Sequence, residues 1–267
     1  MNILVCIKQV PDTTEIKIDP VTNTLIRAGV PSIVNTFDAF ALESALRIKD
    51  ADPGVSVTVV TMGPAQASVA LNTCLGAGAD NAYLVSDRAF GGSDTLATSY
   101  ILSNAIRAIE EKQAQKFDLI LCGKQAIDGD TAQVGPEIAE QLDYPQITYA
   151  TELTAEKGKL RVKRETEDGY EIREAALPAV VTVTKTAYDL RFPTIRRLLD
   201  AYAAETAVLT AEDFPVDRER AGLGGSPTKV RKTFVPERNK TGMKIEEATG
   251  ALSAIKLAAQ LSADGIL

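Results

Sequence analysis

The residues best suited to binding chemistry lie between Gly123 and Pro136, in a loop dominated by small and polar side chains. The loop follows an apolar run and precedes a helical pattern from Pro136 to Leu142. Its glycines free the backbone, Thr131 and Gln133 can donate hydrogen bonds, and the helix start offers N–H groups to an anion. We interpret it as a phosphate-binding loop, because a purely structural turn rarely holds so many small polar residues.

Two acids in this loop, Asp128 and Asp130, would repel a phosphate if they faced it. We expect them instead to cap the turn or to accept a hydrogen bond from a ribose hydroxyl. In that arrangement neither carboxylate opposes the anion.

A second loop, from Gly91 to Thr95, leads into a long helical pattern that ends near Gln115. Its two glycines permit close backbone approach, and its last residues supply hydroxyl and capping groups. A helix start of this kind suits a phosphate or pyrophosphate, through free N–H groups and the positive end of the helix dipole. Ordinary helix capping explains the same residues, so the loop is a second candidate anion site.

Two further loops carry weaker signals. The first, Lys8 to Thr13, has the composition of an exposed turn, and the chain contains neither GxGxxG nor a Walker A motif. The second, Met62 to Pro64, is a tight turn that a planar ligand could approach, although a turn needs no ligand. The missing motifs argue against the usual dinucleotide fingerprint and against a phosphate-transferring NTPase.

Histidine is absent from the 267 residues. Its absence excludes Ser-His-Asp and Cys-His nucleophiles and histidine-ligated metals, and we expect no metal site. The three cysteines, Cys6, Cys74 and Cys122, form no CxxC pair, so we expect small buried side chains in a reducing compartment. Any redox chemistry must therefore come from a bound cofactor rather than from a catalytic side chain.

Acidic residues outnumber basic ones by 36 to 29, which gives a formal net charge of -7. This charge offers no footprint for a nucleic acid backbone. The chain shows no basic leader segment and no apolar run of about 18 residues. We therefore predict a cytoplasmic protein with no nucleic acid partner and no membrane insertion.

Short apolar runs alternate with helical patterns over the first 145 residues. Strands are predicted at Ile3–Ile7, Val55–Thr61, Asn81–Val85 and Phe117–Cys122, and helices at Asp38–Lys49, Thr95–Gln115 and Pro136–Leu142. This alternation predicts an α/β fold with a parallel sheet covered on both faces. Ligands of such sheets lie at the carboxyl ends of the strands, where the four loops fall.

After Pro145 the pattern changes. A hairpin is predicted around Glu167-Asp168-Gly169, and Pro178–Thr184 is a last β-rich run before the sheet signal stops beyond Lys185. Helical patterns follow at Thr194–Ala203 and Glu246–Leu261, separated by a stretch rich in glycine, proline and charge. We predict a nucleotide-binding domain at 1–190 with an added β-hairpin. Residues 191–267 are predicted to form an extended C-terminal arm that packs on another protein.

Together, these loops and the runs Val162–Glu171 and Leu177–Thr182 resemble the beta subunit of electron-transfer flavoprotein. The most specific runs are Gly123–Asp128 and Leu177–Thr182, and the resemblance covers essentially the whole chain. It implies a Rossmann-like, adenine-nucleotide-binding core with five parallel strands. It also implies a heterodimer with an alpha subunit that carries its own FAD and that the arm would embrace.

In ordinary family members the beta subunit holds AMP. Three departures, at Val10–Thr13, at Asn35–Asp38 and at Gly91–Thr95 with Thr98, are similar to the electron-bifurcating branch, where a second FAD replaces AMP and NADH docks beside it. The resemblance assigns FAD to Cys6, Asn35, Asp38, Met62, Gly123, Asp128, Gly129, Asp130, Thr131, Ala132, Gln133 and Val134. It assigns NADH to Gly91, Gly92, Asp94, Thr95 and Thr98.

The resemblance implies an electron-carrier subunit that, with its alpha subunit, oxidises NADH and bifurcates the electrons. One electron would pass to the alpha-subunit FAD, towards an acyl-CoA dehydrogenase, and the other to ferredoxin or flavodoxin. The segment Asp189–Ile195 matches the family's recognition loop for such dehydrogenases, with Leu190 and Ile195 as docking residues. The lysines that follow this loop in many members are missing, so the sequence does not indicate which dehydrogenase docks.

Two other functions stay open. One is a non-bifurcating carrier that binds AMP in place of the second FAD. The other is a free-standing adenine-nucleotide-binding regulatory domain of the stress-protein type, which would form a homodimer with ATP. The hairpin and the arm count against the regulatory domain, which has no use for either.

Overall fold

The computed structural model describes residues 1–12, 31–156, 158–204, 206–231 and 242–267. The chain forms two compact units, Met1–Arg231 and Lys232–Leu267. The described part of the second unit contains one helix, α7 (Gly250–Ala263), which Thr249 caps by accepting a hydrogen bond from the Leu252 N–H at 3.3 Å. No helix among the described residues is long and apolar enough to cross a membrane.

The first unit is built from strands and helices that alternate along most of the chain. Its strands are β1 (Asn2–Cys6), β2 (Gln9–Pro11), β3 (Ser32–Val34), β4 (Ser56–Met62), β5 (Asn81–Val85), β6 (Leu119–Gly123), β7 (Gln146–Glu156), β8 (Lys159–Thr166), β9 (Gly169–Ala176), β10 (Ala179–Val183) and β11 (Ala207–Leu209). Its α-helices are α1 (Thr36–Ala51), α2 (Ser68–Ala77), α3 (Thr95–Gln113), α4 (Val134–Leu142), α5 (Ile195–Ala203) and α6 (Gly222–Gly225). Single 3-10 turns lie at Ala65–Ala67, Arg88–Phe90 and Arg218–Arg220.

The main sheet has the strand order β11-β5-β4-β1-β6-β10-β7-β8-β9. The strands from β11 to β7 are parallel to their neighbours, and β8 and β9 extend the sheet as an antiparallel hairpin. All residues of β1 and β10 are buried, as expected for strands covered on both faces. The strand order reverses between β1 and β6, and their carboxyl ends are therefore the expected ligand site.

Two apolar layers cover the sheet. One packs α1 and α2 on it through side chains such as Leu42 and Leu71. The other packs α3 and α4 on the opposite face through side chains such as Ile106 and Ile138. The prediction of an α/β fold with a parallel, Rossmann-like core and an added hairpin is confirmed.

Two expectations about the sheet are wrong. The parallel part has seven strands rather than five, because β7 and β11 join it. The sheet also continues beyond Lys185, since β11 pairs in parallel with β5 through Val208 and Leu84. A three-residue edge strand is too short to leave a periodic pattern in the sequence.

Residues 191–231 lie in the first compact unit. Leu209, Phe214 and Ala221 are buried in the layer that contains α3. The division into a domain at 1–190 and an arm at 191–267 that packs on another protein stays a prediction.

Candidate functional site

A cavity of about 690 Å³ opens at the carboxyl ends of β1, β4, β5 and β6. Its volume is in the range of sites that bury small molecules and cofactors. The predicted FAD residues that line it are Cys6, Asn35, Asp38, Met62, Gly123, Gly129, Thr131, Ala132, Gln133 and Val134. The predicted NADH residues Gly91, Gly92, Asp94, Thr95 and Thr98 line the same cavity.

The two predicted anion loops touch each other across this cavity. The Thr95 hydroxyl, in the first turn of α3, lies 3.2 Å from Oε1 of Glu137 and 3.4 Å from Oε1 of Gln133. Burial raises the pKa of Glu137, Asp94 adds to that rise, and hydrogen bonds from Thr95 and Ser99 oppose it. The start of α3 and the start of α4 therefore form adjoining walls of one site.

Asn35 and Asp38 hold loops together. The Asn35 side chain donates to the Gln125 carbonyl oxygen at 2.8 Å and accepts from the Ile127 N–H at 3.0 Å. The Asp38 carboxylate accepts from the Lys8 N–H at 2.7 Å and from the Gly123 N–H at 3.1 Å. The two side chains therefore join the start of α1 to the loops after β1 and β6, although both also border the cavity.

Asp38 is almost completely buried, and burial raises its pKa to about 7 despite hydrogen bonds from Asn35, Lys8 and Gly123. Gly123 permits this close arrangement. A side chain there would collide with the Asp38 carboxylate and would approach the backbone of Phe37 and Asp38 to 2.7 Å. Position 123 therefore requires glycine, because the start of α1 lies so close to the end of β6.

The two acids of the loop from Gly123 to Pro136, Asp128 and Asp130, which the resemblance assigns to FAD, turn away from the cavity. Asp128 forms an ion pair with Lys8 at 2.5 Å, and Asp130 accepts from the Gln125 side chain at 2.7 Å. Neither acid lines the cavity. Asp130 and Ala132 both have left-handed backbone conformations, with φ of 52° and 53°. Such conformations are uncommon outside glycine, and they cluster at ligand-binding loops.

Three basic side chains among the described residues line the cavity: Lys8, Arg88 and Lys124. Lys8 and Lys124 lie in loops that the sequence indicated, whereas Arg88 lies in none of them. Lys8 pairs with Asp128, and the Lys124 ammonium lies 5.0 Å from the ring centroid of Tyr149. Arg88 is exposed, and its guanidinium has no ion pair or hydrogen bond within the described part of the chain. It lies three residues before Gly91 and is available to an anion.

The cysteines are buried, as predicted. Cys6 and Cys122 are in register on the neighbouring strands β1 and β6 and form part of the cavity floor. A hydrogen bond with Cys6, together with burial, raises the pKa of the Cys122 thiol. Cys122 therefore acts as a small uncharged side chain. No group of three or more cysteine, aspartate or glutamate side chains suited to a metal occurs among the described residues.

The two predicted docking residues lie away from the cavity. Leu190 is partly buried against the layer that contains α1, whereas Ile195 is 81% exposed and the neighbouring Phe192 is 96% exposed. Arg191, between them, contacts the buried carboxylate of Glu43 at 2.9 Å and the exposed carboxylate of Asp50 at 2.7 Å. This anchor fixes the base of an exposed apolar segment.

Comparison with known proteins gives a consistent family. The model of the electron transfer flavoprotein domain matches residues 22–215. The chain is 54% identical over 250 residues to an electron transfer flavoprotein subunit beta of Megasphaera elsdenii, with 92% of this chain and 93% of that protein covered. It is 50% identical over 257 residues to the caffeyl-CoA reductase-Etf complex subunit CarD of Acetobacterium woodii, covering 94% and 96%. It is also 50% identical over 252 residues to protein FixA of Azotobacter vinelandii, covering 92% and 88%. The chain therefore belongs to the electron transfer flavoprotein family, as a beta subunit.

Proposed function

We propose that this beta subunit binds FAD in the cavity and, with an alpha subunit that carries a second FAD, oxidises NADH and bifurcates its electrons. One electron would go to the alpha-subunit FAD and the other to ferredoxin or flavodoxin. The observation that carries the proposal is the continuity of the cavity, which joins the loop after β6 to the loop before α3 through the contacts of Thr95. A site that takes one dinucleotide beside another needs both loops.

The donor set of the loop after β6 fits the adenine nucleotide half of FAD. The carboxylates of Asp128 and Asp130 are engaged with other side chains and do not border the cavity. Backbone N–H groups, Thr131 and Gln133 are left to face an anion at the start of α4. Asn35 and Asp38 keep this loop beside β1, so they would act by positioning it.

The loop before α3 would hold the pyrophosphate of NADH. Its glycines allow close approach, the start of α3 favours negative charge, and Arg88 adds a guanidinium suited to a phosphate. FAD supplies the two-electron chemistry, and this chain's residues orient both nucleotides and exclude water. Hydride transfer from NADH to FAD needs no side-chain proton donor, which suits a chain without histidine.

The described surface offers apolar residues for protein partners. Phe192 and Ile195 are exposed on a segment that Arg191 anchors, and we assign them to an acyl-CoA dehydrogenase. The relative CarD is named as a subunit of a caffeyl-CoA reductase-Etf complex. Leu252 and Ile255 of α7 are also exposed, and we assign that helix to the alpha subunit.

A second candidate within the family is a non-bifurcating carrier with AMP in the cavity. The loop after β6 alone would serve an AMP equally well, because FAD shares its adenine nucleotide half. A free-standing regulatory domain loses its support, because the relatives match over most of their own lengths as beta subunits.

Replacing Arg88 with alanine tests the NADH side of the proposal. We expect NADH to bind the purified heterodimer about 10- to 100-fold more weakly, since a charge-assisted hydrogen bond contributes about 1.5–3 kcal/mol. FAD content should not change. The matched control is Arg196→Ala, because the Arg196 side chain is 92% exposed on α5. Unchanged NADH binding in Arg88→Ala, or loss of FAD from it, would contradict the assignment.

A further inference from the structure

The loop before α3 is held by a segment about 130 residues further along the chain. We name Gly222–Thr228 the clasp; it contains α6 and ends four residues before the second unit begins at Lys232. The Leu223 N–H donates to the Gly91 carbonyl at 3.0 Å, and the Gly222 N–H donates to the Ser93 hydroxyl at 3.1 Å. Each side of the loop is therefore tied to the clasp.

Asp94 is the centre of these contacts. Its N–H donates to the Ser226 hydroxyl at 2.8 Å, and its Oδ1 accepts from the Ala97 N–H at 3.0 Å. Its Oδ2 accepts from both the N–H and the hydroxyl of Thr228, at 3.0 and 2.8 Å. Burial favours a higher pKa for Asp94, but the hydrogen bonds from Ala97 and Thr228 prevail and lower the pKa below its ordinary value. The carboxylate is thus ionised and fully engaged.

The packing leaves little freedom. Gly92 has a φ of 75°, and a side chain there would approach the Leu223 Cβ to 3.1 Å. Gly222 has a φ of 62°, and a side chain there would collide with the Ala89 carbonyl oxygen. Ser226 is only 4% exposed. The loop and the clasp therefore fit each other closely enough that one cannot shift alone.

The residues that precede the clasp pack on α3 and on the turn before it. The Arg220 guanidinium lies 4.0 Å from the ring centroid of Tyr100, and the Tyr100 hydroxyl accepts from the Asp217 N–H at 3.0 Å. Phe214 packs against Phe90, with 6.0 Å between ring centroids. The clasp is therefore supported from the same helix whose start it shapes.

These contacts decide which groups remain for a ligand. The N–H of Asp94 is used, and its carboxylate is held by Ala97 and Thr228. The N–H groups of Gly92 and Ser93 have no hydrogen-bond partner among the residues that the structure describes. Gly92, Ser93 and Arg88 line the same cavity, and two neighbouring N–H groups without a partner in the described structure are suited to a phosphate oxygen.

We infer that the clasp is a positioning element for the second dinucleotide and that Asp94, Ser226 and Thr228 are its positioning residues. The inference rests on the proposed function. Asp94 does not contact the ligand; it fixes the loop so that the Gly92 and Ser93 N–H groups point to the pyrophosphate. Because the coupling is reciprocal, NADH should also slow amide exchange in the clasp.

Thr228→Val tests the inference, because it removes the hydroxyl and retains the backbone N–H. We expect amide exchange at residues 91–97 of the nucleotide-free heterodimer to become about tenfold faster, and NADH binding to weaken by about the same factor. FAD content should stay the same. Thr228→Ser retains the hydroxyl and should restore both values, and Ser226→Ala should reproduce the loss.

Thr210→Val is the matched control. Thr210 makes the same pair of hydrogen bonds to Asp213, from its N–H at 2.8 Å and its hydroxyl at 2.9 Å, outside the cavity. If exchange and NADH binding in Thr228→Val match those of Thr210→Val, the inference is wrong. If the unsubstituted protein does not bind NADH, the proposed function fails, and exchange at residues 91–97 alone decides whether the clasp holds the loop.

Discussion

Replacing Gly123 with alanine should separate the end of β6 from the start of α1. The new methyl group would approach the Asp38 nitrogen and the Phe37 carbonyl carbon to 2.7 Å and would collide with the Asp38 carboxylate. Two of these atoms belong to the backbone, so a side-chain rotation cannot relieve the contact. The strand end and the helix must move apart.

The expected cost has two parts. Overpacking a close site typically costs about 1–3 kcal/mol. Losing the Gly123 N–H bond to a buried carboxylate costs about 1.5–3 kcal/mol more. Together, the free energy of unfolding should fall by about 2.5–6 kcal/mol. For a unit of 231 residues this corresponds to a melting temperature lower by roughly 5–24 °C, at about 2–4 °C per kcal/mol.

Calorimetry of the nucleotide-free protein measures this change directly. Gly129→Ala is the matched control, because a side chain at Gly129 meets no atom within 4 Å. Its melting temperature should stay within about 2 °C of the unsubstituted protein, as for an exposed substitution. If Gly123→Ala and Gly129→Ala have the same melting temperature, the close approach of α1 to β6 does not require glycine at position 123.

Three further outcomes are expected. The folded Asp38 carboxyl, with a pKa of about 7 against 3.8, keeps a proton that the unfolded chain has released. The free energy of unfolding should therefore fall as pH rises from about 4 to 7, by roughly 4 kcal/mol, and Asp38→Asn should remove this dependence in urea unfolding. Arg191→Ala leaves the buried Glu43 carboxylate without its partner, and should lower the free energy of unfolding by about 3–5 kcal/mol in the same assay. Ile195→Ser should weaken dehydrogenase docking about 10- to 100-fold in a binding titration without loss of FAD, because it removes an exposed apolar contact.

Controls for these outcomes come from the same chain. Equal pH profiles for Asp38→Asn and the unsubstituted protein would contradict the raised pKa. Arg196 pairs with Asp200 at 4.0 Å on the surface, so Arg196→Ala should change stability by less than about 0.5 kcal/mol. A similarly small change of the free energy of unfolding in Arg191→Ala would show that burial of the Glu43 carboxylate does not require Arg191. If Ile195→Ser binds the dehydrogenase as tightly as the unsubstituted protein, the dehydrogenase docks on a different surface.

The parts of the fold that sequence patterns predicted are those with a strong local signal. The strand at Asn81–Val85 and the long helix from Thr95 follow directly from apolar periodicity and capping residues. Helix α2 was not predicted, because its residues are mostly small or apolar and its three polar residues, Ser68, Asn72 and Thr73, are too few to mark a polar face. Strand β11 has three residues, too few for a pattern.

Part of the candidate site was likewise predictable from the sequence, and part was not. Loop composition and the rule that ligands lie at strand ends indicated residues 123–136 and 91–95 as two candidate anion sites, whereas only the structure shows that both line one cavity. The roles of Asn35, Asp38 and Asp94 were not predictable, since their partners lie about 90 to 130 residues away in the chain. Arg88 belongs to no motif, and only its position on the cavity wall indicates a use.

The central claim is that this beta subunit holds FAD rather than AMP in its cavity. Cofactor extraction and quantification from the purified heterodimer measure this most directly. We expect two FAD per heterodimer, no AMP, and bleaching of flavin absorbance when NADH is added. One FAD with one AMP per heterodimer, and no reduction by NADH, would contradict it.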